Sequence, residues 1–295
     1  MAPLTGMPDP TGEAQTRPVL SVKIENTPQA RPQAGIEAAD VVWNEVVEGQ
    51  ITRLLAMFQS QSTEVVGPIR SVRLTDPLIV WPVGGVFAFS GGAKYALDAI
   101  AQAPVTLVDE ANAGDAMYRD SSRRAPHNLF GRPAALFAKG GQPVPPPAIF
   151  RFRAPGEAVP GGPATGVSIG FARGYDVTYT WDAAAAGWMR SSSAGPFRAR
   201  SGAQIAPQNV VVLKVVYAGG LGEIGAEAQL VGEGEAIVLT AGQAVTGTWA
   251  RADKSEPVHL RGPDGAPIAL TPGTTWIELP DVSYPVQVFA PAPPG

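Results

Sequence analysis

The sequence predicts an α+β protein, with a mixed α/β N-terminal domain at 18–140 followed by a β-rich antiparallel C-terminal domain at 167–295. Three observations carry this. Before residue 140, apolar strand-like runs alternate with short stretches of helical spacing. From Val167 onward, short strands succeed one another between turns such as Pro263-Asp264-Gly265. Between the two, KGGQPVPPPAIF (139 to 150) and RAPGEAVPGGPATG (153 to 166) have no usable period, which places a linker or long crossover at 141–166. The 30 prolines and 34 glycines of the 295-residue chain favour many turns and short elements over long helices.

Taken in order, the proline-rich start, 1–17, has no periodicity and suits a leader remnant or tether. VLSVKIEN (19 to 26) mixes apolar and polar positions as a strand does, and NTPQARPQAG (26 to 35) is a loop. ADVVWNEVVEG (39 to 49) and ITRLLAMFQS (51 to 60) form a hairpin turning at Glu48, Gly49 and Gln50. Alternation puts Trp43 and Glu45 on one face and Asn44 and Val46 on the other. RLTDPLIVWPVGG starts a short helix that Pro82 ends. VFAFSGG is a buried strand, AKYALDAIAQA (93 to 103) a helix whose apolar stripe omits Tyr95, and VTLVDE (105 to 110) another strand. The later strands are VSIGFA, DVTYTWD, GWMRSS, NVVVLKVVY, AQLVGEGEAIVL, AVTGTWARA, PVHLRG, APIALT, TWIELP and VQVFA. WDAAAAGWMRS reads as a hairpin with an Ala-rich loop. GEGEA (232 to 236) reads as a turn, and since no helix or GK[ST] follows, it is no phosphate loop. Trp181, Trp188, Trp249 and Trp276 read as core packing.

Composition excludes several function classes. The net charge is −4 with no basic block, which argues against nucleic acid as a partner. The longest apolar runs fall far short of the ~20 residues of a membrane helix. With no cysteine there is no disulfide, thiolate metal site or Cys nucleophile, and two isolated histidines do not favour zinc.

Charge is scarce, at 16% of residues, yet it crowds into EVVEGQITR (45 to 53), GPIRSVRLTD (67 to 76) and YRDSSRRAPHN (118 to 128). A guanidinium offers a planar fork of donors that matches phosphate or carboxylate, so Arg53, Arg70, Arg73, Arg119 and Arg124 suit an anion site. Glu45, Glu48 and Asp76 orient them, and Ser90, His127 and Asn128 complete the set of ligand-binding candidates. The bland alternative is that each arginine pairs with an acid and serves the architecture. His127, Glu45 and Asp76 are the catalytic candidates, and His127 suits acid–base work because imidazole titrates near neutrality. Ser90 follows a strand but lacks the GxSxG elbow, and a triad of Ser90 with His127 and Asp109 is available only on paper. Glu45, Asp76 and Asp109 are candidate oxygen ligands for magnesium, the one cofactor the pattern suits.

RPVLSVKIENTPQARPQAG, ADVVWNEVVEGQITRLLAMF, GPIRSVRLTD and YRDSSRRAPHN, followed by PQNVVVL, GEGEAIVLTAGQAVTGTW and LTPGTTWIELP, resemble the YerB-like family of bacterial lipoproteins, a two-part domain of unknown function. The resemblance covers nearly the whole chain after residue 17. It implies an extracytoplasmic location with a lipid anchor, the anchor-bearing leader being absent here, and it supplies no activity. SAGPFRARSG (193 to 202) departs from the family, with Phe197 and Arg198 where a more polar turn is common. The layout of arginines after successive strands is also similar to that of the LytR-CpsA-Psr family, which implies pyrophosphate and magnesium. Three functions are therefore expected in turn: binding of an anionic cell-envelope ligand, magnesium-dependent transfer or hydrolysis on a lipid-linked or wall-linked phosphate, or a scaffold for cell-wall synthesis proteins.

Overall fold

The computed structural model describes residues 1–140, 144–159, 161–171 and 174–291. The predicted N-terminal strands are β1 (Leu20–Glu25), β2 (Val41–Val46), β3 (Thr52–Phe58), β4 (Val86–Ala88) and β5 (Thr106–Val108). A small ribbon, β6 (Met117–Arg119) and β7 (Leu129–Gly131), follows. The helices are short: α1 (Thr75–Val80), α2 (Lys94–Ile100) and α3 (Pro133–Phe137). Asp76 starts α1 by accepting the Arg73 amide at 2.7 Å, and Pro82 lies just beyond its end. In α2, Ala96 and Ile100 are buried while Tyr95 faces solvent, as the stripe requires.

The second half supplies β8 (Gly162–Pro163), β9 (Gly166–Ile169), β10 (Val177–Asp182), β11 (Gly187–Ser192) and β12 (Gly195–Pro196). Then come β13 (Asn209–Leu213), β14 (Tyr217–Ala218), β15 (Glu227–Ala228), β16 (Gly232–Thr240) and β17 (Gln243–Arg251). The last are β18 (His259–Arg261), β19 (Thr275–Leu279) and β20 (Val286–Phe289). The protein is mostly sheet with few helices.

The two halves meet within one sheet, ordered β18-β17-β16-β13-β19-β2-β3-β1-β4-β5, with β8 on β17. The joint is β19 lying parallel to β2, with Glu278 beside Asn44. β1, β2, β3, β13 and β19 are buried along their whole length, because these central strands are covered on both faces. A second sheet, β12-β11-β10-β9-β20, packs beside the large one, and Trp188, Trp249 and Trp276 are buried as core. Trp181, half-buried, packs tilted against Trp188, with ring centroids 5.0 Å apart.

Several expectations are corrected. The C-terminal half is not purely antiparallel, since β19 pairs in parallel with both β13 and β2. Residues 1–17 are no free tether: Leu4 is wholly buried, and the Thr5 carbonyl accepts the Gly273 amide at 2.8 Å. Of the 141–166 linker, residues 141–143 and 160 lie outside the described residues. The rest is anchored at two points, where Phe152 bridges Leu270 and Pro163 pairs with Gln243. GEGEA is strand, not turn. Gly234 sits there because a Cβ would stand 2.5 Å from the Trp249 indole nitrogen and 2.8 Å from the Lys214 carbonyl, a close approach only glycine allows. APIALT forms no strand of its own and folds back on β18 through Ile268 N to Leu260 O at 3.0 Å. Ala172, the end of VSIGFA, and residues 292–295 lie outside the described residues.

Candidate functional site

Alternation along β1 turns Ser21, Lys23 and Glu25 to one face. Glu25 lies opposite Arg53 on β3, and Arg53 lies opposite Glu45 on β2, so these charged side chains share that face. The segment after Gly67 crosses it, held by the Ile24–Ile69 bridge and by Arg70 N donating to the Lys23 carbonyl at 2.8 Å. This crossing delivers Arg70, Ser71, Arg73 and Asp76.

The resulting cluster has two layers. Deepest is Lys23, whose ammonium donates to Asp76 Oδ1 at 2.6 Å and to Glu45 Oε1, all three groups being fully buried. Burial, together with the Asp76 charge, pushes the Glu45 carboxyl above the ordinary carboxylate range in spite of Lys23. In the outer layer Arg73 grips Glu48 bidentately, Nε reaching Oε2 at 2.6 Å and Nη2 reaching Oε1. Arg53 Nη2 stands 3.7 Å from the same Oε1, and its Nη1 donates to the Ser71 carbonyl at 3.0 Å. Burial and the neighbouring Arg73 and Arg70 charges bring Arg53 down to about 10. Burial opposes the Glu48 charge, but the Arg73 hydrogen bonds and the two guanidinium charges prevail and bring its carboxyl down to about 2.

Glu25 closes the other end. Its Oε1 lies 2.9 Å from His127 Nδ1 and accepts from Thr27 Oγ1 at 2.8 Å, and its Oε2 is 3.5 Å from Arg70 Nε. At the rim, Ser71 and Ser90 bring their hydroxyls within 3.3 Å of each other, between the half-buried Arg70 and Arg73.

Thus Glu45, Glu48, Arg53, Arg70, Arg73, Asp76 and His127 converge, with Ser90 at the rim. Other candidates are employed differently. Arg119 forms a bidentate pair with Glu110, both contacts at 2.7 Å, and donates to Asn128 Oδ1 at 2.7 Å. Arg124 is exposed, with no side-chain hydrogen bond or ion pair among the described residues. Asp109 caps its own turn by accepting the Ala111 and Asn112 amides at 3.0 Å. The Ser90–His127–Asp109 triad does not form, since His127 is held by Glu25 and Asp109 by that turn. Among the described residues no three acids or histidines gather as cation ligands. Lys23 and Glu25 were missed, although two charges on one face of an otherwise apolar strand were the signal.

The C-terminal half braces this face. The Gly49 amide donates to the Gly222 carbonyl at 2.7 Å, next to Glu48, and the Ala228 amide donates to Thr75 Oγ1 at 3.0 Å. Tyr217 OH accepts the Val46 amide at 2.9 Å and donates to the Leu279 carbonyl at 2.8 Å. Sequence spacing carries no sign of these contacts, which join residues far apart in the chain.

Residues 4–142 match the N-terminal domain, and residues 167–277 the C-terminal domain, of a protein family of unknown function, DUF3048. The chain belongs to the DUF3048 family. A relative from Bacillus subtilis (strain 168), named "Putative lipoprotein YerB", is 29% identical over 300 residues, spanning 95% of this chain and 86% of the relative. The crystal structure of the YerB protein from Bacillus subtilis superposes with a TM-score of 0.83 at 24% identity, covering 97% of this chain and 99% of that one. The DUF3048 fold is therefore shared along almost the full length. The YerB-like resemblance read from the sequence is borne out, and the family's name assigns no activity to the charged face.

Proposed function

We propose that this DUF3048 protein is a membrane-tethered, extracytoplasmic binding protein whose charged face takes an anionic cell-envelope ligand at its rim. The supporting observation is the layering of charge. The inner layer holds one cation, Lys23, against two acids, Glu45 and Asp76. The outer layer holds three guanidiniums, Arg53, Arg70 and Arg73, against two acids, Glu25 and Glu48. The outer layer therefore carries the surplus positive charge, and its partly exposed members Arg70 and Arg73 stand beside the paired Ser71 and Ser90 hydroxyls, where fork-shaped donors meet a phosphate or carboxylate. The relative's lipoprotein name supports the tether. The ammonium of Lys23 between Glu45 and Asp76 favours binding over magnesium-assisted transfer, because those carboxylates already have a cation.

The test is a thermal-shift titration with pyrophosphate, polyprenyl phosphates and peptidoglycan fragments, each with and without magnesium. Saturable stabilisation that disappears in Arg70→Ala supports the reading. No shift with any of them, in a parent protein that is folded, moves the weight to a scaffold for cell-wall synthesis proteins.

A further inference from the structure

A second group of arginines gathers away from the rim, where loop 26–34, the turn 119–128 and residues 197–204 meet. Arg31 and Arg190 lie over the same Phe197 ring, at 5.3 Å and 4.1 Å from its centroid. Arg123 and Arg200 likewise share the Phe130 ring, at 5.5 Å and 5.7 Å. The loop that carries Arg31 is held by the second pair. Arg123 donates to the Ala30 and Pro32 carbonyls, both at 2.9 Å, and the Arg200 amide donates to the Gln33 carbonyl at 2.7 Å.

Counter-charge here is short. Arg200 pairs with Asp120 at 3.2 Å, and Arg190 stands 3.9 Å from Glu278. Arg31 and Arg123 have no ion-pair partner among the described residues, so four guanidiniums face two carboxylates. Asp176, the other acid near Arg31, spends its carboxylate on the amide and hydroxyl of Ser193, each at 2.8 Å. Arg190, almost wholly buried, has an Nη2 without a hydrogen-bond partner. Burial followed by the Arg190 charge brings Arg31 down to about 10, and burial followed by Arg200 lowers Arg123. Stacking on a ring covers the face of a guanidinium and leaves its edge to donate; Arg31 gives its Nε to Asn26 Oδ1 at 3.2 Å, and its Nη groups have no hydrogen bond among the described residues. Like charges held together without counter-ions are costly unless an anion joins them, and this surplus arises in a chain whose net charge is −4.

We propose that this seam is a second anion-binding surface, separate from the Arg70 rim, and that its ligand is an extended polyanion, a chain of phosphate or phosphodiester groups. The partly exposed Arg31, Arg123 and Arg200 engage several charges along a chain, with buried Arg190 adding its field from beneath, whereas one small anion engages fewer of them. Exposed Arg124, next to Arg123, extends the surface.

The test uses the full chain and inorganic polyphosphate, with orthophosphate and pyrophosphate at equal total phosphate. Polyphosphate is expected to bind saturably, and Arg123→Gln/Arg124→Gln to weaken it about tenfold or more. That variant should also flatten the slope of log affinity against log salt by about two, one for each guanidinium removed. Arg70→Ala should bind polyphosphate as the parent does. Arg124→Gln alone removes no internal bond, so it folds and should show part of the weakening. Three results would overturn the proposal: no saturable polyphosphate binding, equal binding in the double variant, or a weakening in Arg70→Ala as large as in the double variant. Pyrophosphate binding as tightly as polyphosphate would overturn the extended ligand.

Discussion

Two arginine-rich regions of this protein solve the problem of charge differently. On the face formed by β1, β2 and β3, four cations meet four acids: Lys23 holds Glu45 and Asp76, Arg53 and Arg73 share Glu48, and Arg70 stands beside Glu25. At the seam, Arg31 and Arg123 lie against aromatic rings with no ion-pair partner among the described residues. A paired guanidinium is bound into the framework, and its removal leaves an acid stranded. A stacked, unpaired one leaves no acid stranded when it is removed, and so contributes less to folding. Pairing, rather than residue type, sets how much each arginine contributes to the framework.

The largest expected effect tests the paired face at its deepest point. Lys23→Met leaves Glu45 and Asp76 buried without a cation and should cost roughly 3–5 kcal/mol of stability in urea unfolding. A smaller effect appears in acid. The Glu48 carboxyl falls from its ordinary 4.5 to about 2 on folding, so its contribution is complete above about 4.5 and is lost as pH falls toward 2. In that window the stability of the parent should decline more steeply with acid than that of Glu48→Gln. If both decline alike, the Arg73–Glu48 pairing does not act in solution. The smallest effect belongs to the seam, where Arg124→Gln should change stability by no more than about 0.5 kcal/mol.

Much of the fold was legible because strand alternation and turn residues are local signals. The hairpin at Glu48–Gln50, α1 ending before Pro82 and the exposed Tyr95 all follow from spacing within a few residues. Pairing between distant segments was not legible. Nothing in TWIELP announces that Thr275–Leu279 lies beside Val41–Val46 and fuses the two halves into one sheet. The same limit governs the charged face. The crowding of Glu45, Glu48, Arg53, Arg70, Arg73 and Asp76 could be read in the sequence, but which acid meets which arginine depends on the 67–76 crossing. Lys23 and Glu25 escaped because a strand with two charged positions resembles an ordinary half-exposed one until both faces prove covered. The seam was hidden further still, since Arg31, Arg123, Arg190 and Arg200 come from three separate stretches of chain.

Equilibrium unfolding of Arg53→Ala and Arg123→Gln, measured side by side, tests the distinction between the regions most directly. Arg53 is buried, bonded to the Ser71 carbonyl and close to Glu48, and its removal should cost about 2–3 kcal/mol. Arg123→Gln, which gives up its bonds to the buried Ala30 and the exposed Pro32 carbonyls but no ion pair, should cost no more than about 1 kcal/mol. If Arg123→Gln proves as destabilising as Arg53→Ala, the seam arginines are framework too, and pairing does not distinguish the two regions.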